Sequence, residues 1–71
     1  MEKREGLIAF RKSLGLTQAD MATKLGCVKL YINDLELCRR DASIPFWYNF
    51  QEVFGIEDSK MWSLIKIHKK G

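Results

Sequence analysis

The segment QADMATKLGCVKLYINDLEL, Gln18 to Leu37, constrains the fold more than any other part of the chain. Apolar residues recur at helical spacing on both sides of Gly26, with Met21, Ala22 and Leu25 before it and Ile32 and Leu35 after it. Two helices joined so closely must pack on each other, because the connection is too short to carry the second one away. Short helices that cross at about 90–120° over a three- to four-residue turn make specific demands. A small residue is needed where the helices touch, a residue tolerant of positive φ in the turn, and apolar residues to pin the second helix. Ala22, Gly26, and Ile32 with Leu35 meet these demands. The segment 18–37 therefore reads as a helix-turn-helix.

The same periodicity predicts three further helices, and with one proline and five glycines the chain offers little for strands or tight hairpins. The first helix is expected over Lys3–Leu14, with Leu7, Phe10, Arg11 and Leu14 on one face and Gly15 ending it. Thr17 caps the helix Gln18–Leu25, and Asp20 suits its positive end. The third helix runs over Val28–Leu37. Ser43 and Pro45 open the fourth, whose inner face is Phe46, Phe50, Val53 and Phe54, with Trp47 and Tyr48 partly exposed beside it. Asp58 or Ser59 caps a last helix, 58–68. Its Met61, Trp62 and Ile65 are expected on the aromatic face of the fourth helix, leaving Leu64 and Ile67 for a dimer or partner surface. The expectation is an all-α, compact five-helix domain spanning 1–71.

At 71 residues there is room for one domain, burying about 60% of its unfolded surface. Net charge is +3, and all of the excess lies in residues 1–40, which carry eight Lys/Arg against five Asp/Glu; the remainder carries four of each. That asymmetry suits an anionic partner. Catalysis has no basis: there is no nucleophile paired with His, no phosphate-cradling glycine loop and no carboxylate dyad. His68 is the only histidine, and no Cys/His spacing fits a metal, so no cofactor or small-molecule ligand is expected. Cys27 and Cys38 form no disulfide framework, and Cys27 reads as a small residue buried at the turn. The charged start Met1-Glu2-Lys3-Arg4-Glu5 has no apolar leader, and no run approaches the roughly 18 apolar residues of a membrane span, so a cytoplasmic location is expected.

The stretch LIAFRKSLGLTQADMATKLG, followed by YINDLE and then RR, resembles the DNA-binding domains of the lambda-repressor/Cro superfamily over about residues 7 to 56. The resemblance implies a lambda-repressor-like fold and a set of roles. Thr17 and Gln18 would anchor the second helix on DNA phosphates. Lys29, Leu30, Asn33 and Asp34 would face base edges in the major groove. Arg39 and Arg40 would grip the backbone, and Arg11 and Glu36 would form an internal ion pair between the first and third helices. A charge on an otherwise apolar helix face is costly unless paired, which agrees with that last role.

The chain departs from the family at three positions. Val28 stands where Ser or Thr usually caps the recognition helix, Cys38 where glycine usually ends it, and Ala42 near a common proline. Two functional expectations follow. One is a Cro-type regulator that reads double-stranded operator DNA as a homodimer, its recognition helices about 34–36 Å apart. The other is a modulator of repression, like those of temperate phages, that grips a partner repressor through Val28, Leu30, Tyr31, Asp34, Leu64 and Ile67, because an apolar and acidic recognition helix is also what a protein-binding face looks like.

Overall fold

A computed structural model of the chain, describing residues 2–66, is all-helical, with five helices in the order α1 (Glu5–Ser13), α2 (Gln18–Leu25), α3 (Lys29–Glu36), α4 (Ile44–Phe54) and α5 (Asp58–Ile65). Four of them end in the same way. The residue after the turn donates its N–H five residues back, from Leu16 to Arg11, Cys27 to Ala22, Arg39 to Asp34 and Ile56 to Gln51, at 2.9 to 3.2 Å. This closure needs one residue in the left-handed region. Gly15, Gly26 and Gly55 supply it after α1, α2 and α4, and Cys38 supplies it after α3 with φ +57°. A side chain there costs about 1–2 kcal/mol. Cys38→Gly is therefore expected to raise stability by about 1 kcal/mol, read as a higher midpoint in urea with an unchanged slope.

The core is Leu7 of α1, Met21, Ala22 and Leu25 of α2, Ile32 and Leu35 of α3, Trp47 and Phe50 of α4, and Met61 and Leu64 of α5. Aromatic rings bind α4 to its neighbours. Phe10 meets Phe50 and Phe54 with centroids 5.9 and 5.6 Å apart, and Tyr31 stands edge-on to Phe46 at 5.3 Å. Trp47 belongs to this core, whereas the sequence expectation left it partly exposed and put Val53 inside; Val53 is 43% exposed and Trp47 only 8%. In a helix with five aromatic residues in eleven, periodicity alone does not fix the phase. Contacts from other elements fix it: Phe10 of α1 on Phe50 and Phe54, Tyr31 of α3 on Phe46, and Arg4 over Trp47.

The last helix also differs from expectation. It begins at Asp58 after Glu57, without a side-chain cap, and it ends at Ile65. Ile67 and His68 lie outside the described residues. Its chief neighbour is α1 rather than α4. The buried face is accordingly rotated: Leu64 is core, and Trp62 is 73% exposed. Gly6 permits this packing. A Cβ at Gly6 would collide with the backbone carbonyl oxygen of Ser63. Elsewhere in a helix Gly→Ala gains up to about 1 kcal/mol. Here Gly6→Ala is expected to lower stability by about 2 kcal/mol, because backbone must move to admit the methyl group. Thermal unfolding with matched Gly6→Ser and wild-type samples checks it.

The residue that locks the termini of these helices is Arg4. It immediately precedes α1 and is 2% exposed. Its guanidinium donates to the carbonyl oxygens of Leu35 (2.7 Å), Ile65 (3.1 Å) and Arg40 (3.3 Å) and to the Asp41 carboxylate (2.9 Å). It also lies over the Trp47 ring at 6.0 Å. Its backbone N–H donates to the carbonyl of Glu36 at 2.9 Å. Arg4 thus satisfies carbonyls at the ends of α3 and α5 that a helix C-terminus leaves without intrahelical donors.

Candidate functional site

The outward side of α3, together with the start of α2, forms the surface on which most of the candidate residues fall. α2 begins with a reciprocal cap: Thr17 Oγ1 accepts from the Asp20 N–H, and Asp20 Oδ2 accepts from the Thr17 N–H, both at 3.0 Å. Hydrogen bonding to the Thr17 backbone N–H, and then to the Thr17 hydroxyl, holds the Asp20 carboxyl below its ordinary pKa. The cap therefore supports folding above the ordinary carboxylate range and loses that support as pH falls through the lowered value. α3 has no such cap. Val28 makes no side-chain bond to the helix and stands 67% exposed.

Lys29, Leu30 and Asn33 share the outer side of α3 and line one shallow depression with Gln18. Lys29 and Leu30 are exposed, and Asn33 is half-buried. Gln18 is not available to a phosphate in the way the family resemblance implies. Its amide nitrogen already donates to Glu36 Oε1 at 2.9 Å and Asn33 Oδ1 at 3.2 Å, which uses both of its hydrogens. Gln18 is a clamp between α2 and α3, and it holds Asn33 from behind.

Asp34 does not stand with Lys29, Leu30 and Asn33. One residue further round α3, its side chain is 15% exposed and its Oδ2 lies 3.7 Å from Arg40 Nε. Arg40 in turn covers the Tyr31 ring at 5.4 Å. Asp34, Tyr31 and Arg40 therefore make a flank of their own beside α4, where the sequence expectation put Asp34 among the base-facing residues. Arg40, from the loop after α3, explains the difference, since Asp34 follows Leu30 by four residues and helical geometry alone would leave the two on one side. Arg39 is exposed, with no ion pair recorded among the described residues.

Beneath this surface lies the pair Arg11 and Glu36. Arg11 Nε and Nη2 donate to the two carboxylate oxygens of Glu36 at 2.7 and 3.3 Å, and Arg11 Nη1 donates to the carbonyl of Leu16 at 2.9 Å. Glu36 is 2% exposed. The bonds from Gln18 and Arg11 leave neither carboxylate oxygen without a donor. The chain of contacts Arg11–Glu36–Gln18–Asn33 joins α1 to the outer side of α3. Sequence reasoning paired Arg11 with Glu36 but did not connect that pair to Gln18 and Asn33.

Two expected partner-contact residues are not on this surface. Leu64 is buried against α1, and Ile67 lies outside the described residues. Among the described residues no group of three or more His, Cys, Asp or Glu side chains is arranged to hold a metal, and no helix is long and apolar enough to cross a membrane. Cys27 is half-buried, and that burial raises its thiol pKa, which disfavours the reactive thiolate. Comparison with protein families, with characterised proteins and with solved structures finds no match to this chain.

Proposed function

We propose that the chain is a helix-turn-helix DNA-binding regulator of the lambda-repressor/Cro type, with α3 as its recognition helix. The observation that carries this reading is the composition of the outer side of α3 once Asp34 is removed from it. Lys29, Leu30 and Asn33 remain, a donor, an apolar contact and an amide, with the Asp34 carboxylate drawn onto Arg40 and that of Glu36 buried. Those three side chains match guanine O6/N7, a thymine methyl and adenine N6/N7 in the major groove. The α2 N-terminus adds phosphate-binding character, since the first N–H groups of a helix have no intrahelical acceptor. Arg39 supplies a further positive charge at the far end of α3.

The test is selection from random duplex DNA at about 150 mM salt, with sequencing of what is retained. A near-palindrome should be enriched. Lys29→Ala and Asn33→Ala should each cost about 1–3 kcal/mol at one base position, and Arg39→Ala should weaken all sequences alike. Retention of the same sequences by all three variants would remove α3 from the interface.

A second reading rests on Val28 and Leu30, which are 67% and 64% exposed at the start of α3. Two bulky apolar side chains side by side on a small domain favour a protein contact. On this reading the chain is a modulator that binds a repressor of the same phage type. Val28→Lys and Leu30→Asp would then abolish the protein complex.

A further inference from the structure

The stretch 41–59 carries Asp41, Glu52, Glu57 and Asp58 and neither lysine nor arginine, while the rest of the chain holds all twelve Lys/Arg against five Asp/Glu. Asp41 is paired with Arg4. Among the described residues Glu52, Glu57 and Asp58 enter no ion pair, and all three are exposed. They gather around the connection between α4 and α5, at one end of a groove of about 330 Å³ between those helices. Trp47 and Met61, both buried, form the floor of the groove, and the exposed Ile44, Tyr48 and Trp62 form its rim. We propose that this groove takes an amphipathic helical segment of another protein, its apolar face on Tyr48 and Trp62 and a lysine or arginine at the acidic end.

The charge selects the partner. Asp58 is part of the groove wall and accepts from Gln51 Nε2 at 2.6 Å, which fixes the carboxylate in place and leaves its charge intact. Glu52 follows Tyr48 by four residues, one turn along the same side of α4, and Glu57 directly precedes Asp58. The next cation in the chain, Lys60, lies 5.8 Å from the Phe10 ring of α1, which is no part of the groove. Carboxylates beside an apolar cleft repel a nucleic-acid backbone or an anionic lipid surface and attract a basic group. A twofold contact with a second copy would set three carboxylates and one cation, Lys66, against the same set, leaving net negative charge to face itself.

The shape selects a helix. Each wall runs seven residues, from Ile44 to Gln51 and from Asp58 to Ile65, which is roughly 10 Å or two helical turns. The five elements are all helices, so a partner gains side-chain contacts here rather than strand pairing. Bulky residues at i, i+3, i+4 and i+7 of a third helix would enter between the two rims. With large aromatic side chains presenting on the order of 150–250 Å², Tyr48, Trp62 and Ile44 leave roughly 350 Å² of apolar surface open. Monomers rarely leave a contiguous patch of that size to water. Rims this exposed suit a small molecule poorly, because ligand pockets bury most of their ligand.

None of the residues of this groove is on α3. The site therefore goes beyond the DNA-binding reading and does not rest on it.

Selection by the full chain from a displayed library of helical peptides of about 15 residues, randomised on one face, tests the proposal. Enriched peptides should share bulky apolar residues at i, i+3 or i+4, and i+7, with Lys or Arg at one end. A selected peptide, synthesised and labelled, should bind Trp62→Ala about 30-fold more weakly than wild type by fluorescence anisotropy. The double variant Glu52→Lys with Asp58→Asn should lose about tenfold for that peptide and gain for a counterpart with Glu at the same end. All three positions are exposed, so the melting midpoints of both variants should stay close to wild type. The proposal is overturned if nothing is enriched, if Trp62→Ala binds the peptide as wild type does, or if the charge variant leaves the basic preference unchanged. Sedimentation equilibrium of the chain without peptide gives the remaining outcome. A dimer that Trp62→Ala dissociates would assign the groove to a second copy and also overturn the proposal.

Discussion

Arg4→Met should lower stability by about 3–5 kcal/mol and bring the melting midpoint down by about 15 °C or more. The methionine fills most of the same volume but donates nothing. The carbonyls of Leu35, Ile65 and Arg40 lose a charged donor in a place where little water reaches, and each buried carbonyl left unpaired costs about 1–3 kcal/mol. A domain of 71 residues has roughly 4–10 kcal/mol in total, so the variant should lose a third or more of its stability. Two controls locate the effect. Asp41→Ala removes only the solvent-facing partner, whose side chain is 75% exposed, and should cost less than about 1 kcal/mol. Arg4→Lys keeps the charge but not the planar fork, and should fall between the two. If Asp41→Ala proved as damaging as Arg4→Met, the ion pair and not the helix-end carbonyls would be what Arg4 contributes. Chemical denaturation of the three variants with wild type decides it.

What the sequence shows of this fold is what lies within one helical turn of its cause. The ends of α1, α2 and α4 are visible because each needs a left-handed residue and has glycine there. The end of α3 is visible only by comparison with a family, because cysteine carries no such signal. The Thr17 cap is legible because its partner Asp20 is three residues away. Arg4 is not legible. It sits in a charged string that reads as solvated, and the atoms it bonds lie 31 to 61 residues further on. The phases of α4 and α5 fail for a related reason. Their residues are apolar on more than one side, so the identity of the neighbour decides which side is buried. For α5 that neighbour is chiefly α1, admitted by Gly6, and this turns Leu64 inward and Trp62 outward. On α3 the grouping of Lys29, Leu30 and Asn33 comes from the family resemblance, while the withdrawal of Asp34 depends on Arg40, which comes from the next loop.

Glu36→Ala should be nearly as costly as the loss of Arg4 and should also reach the outer side of α3. Glu36 and Arg11 are 3% and 12% exposed at their side chains, so removing the carboxylate strands a guanidinium in a place poor in water. Breaking a buried pair from one side costs about 3–5 kcal/mol. Replacing both, as Arg11→Met with Glu36→Leu, leaves no stranded charge and should recover most of that loss, so the double variant should be more stable than Glu36→Ala alone. The recovery should stop short in one respect. Gln18 donates to Glu36 and to Asn33 with the same amide nitrogen, and no leucine accepts from it. Gln18 then keeps only its bond to Asn33, and Asn33 loses the anchored group that holds it from behind. If α3 reads DNA, the double variant should fold and yet discriminate poorly at the base that Asn33 contacts, while the base assigned to Lys29 is read as before. Stability from denaturation and base preference from selection are separate measurements on one protein. Full stability with unchanged preference at every position would mean that Glu36 serves α1 alone, and that Gln18 takes no part in setting the reading face.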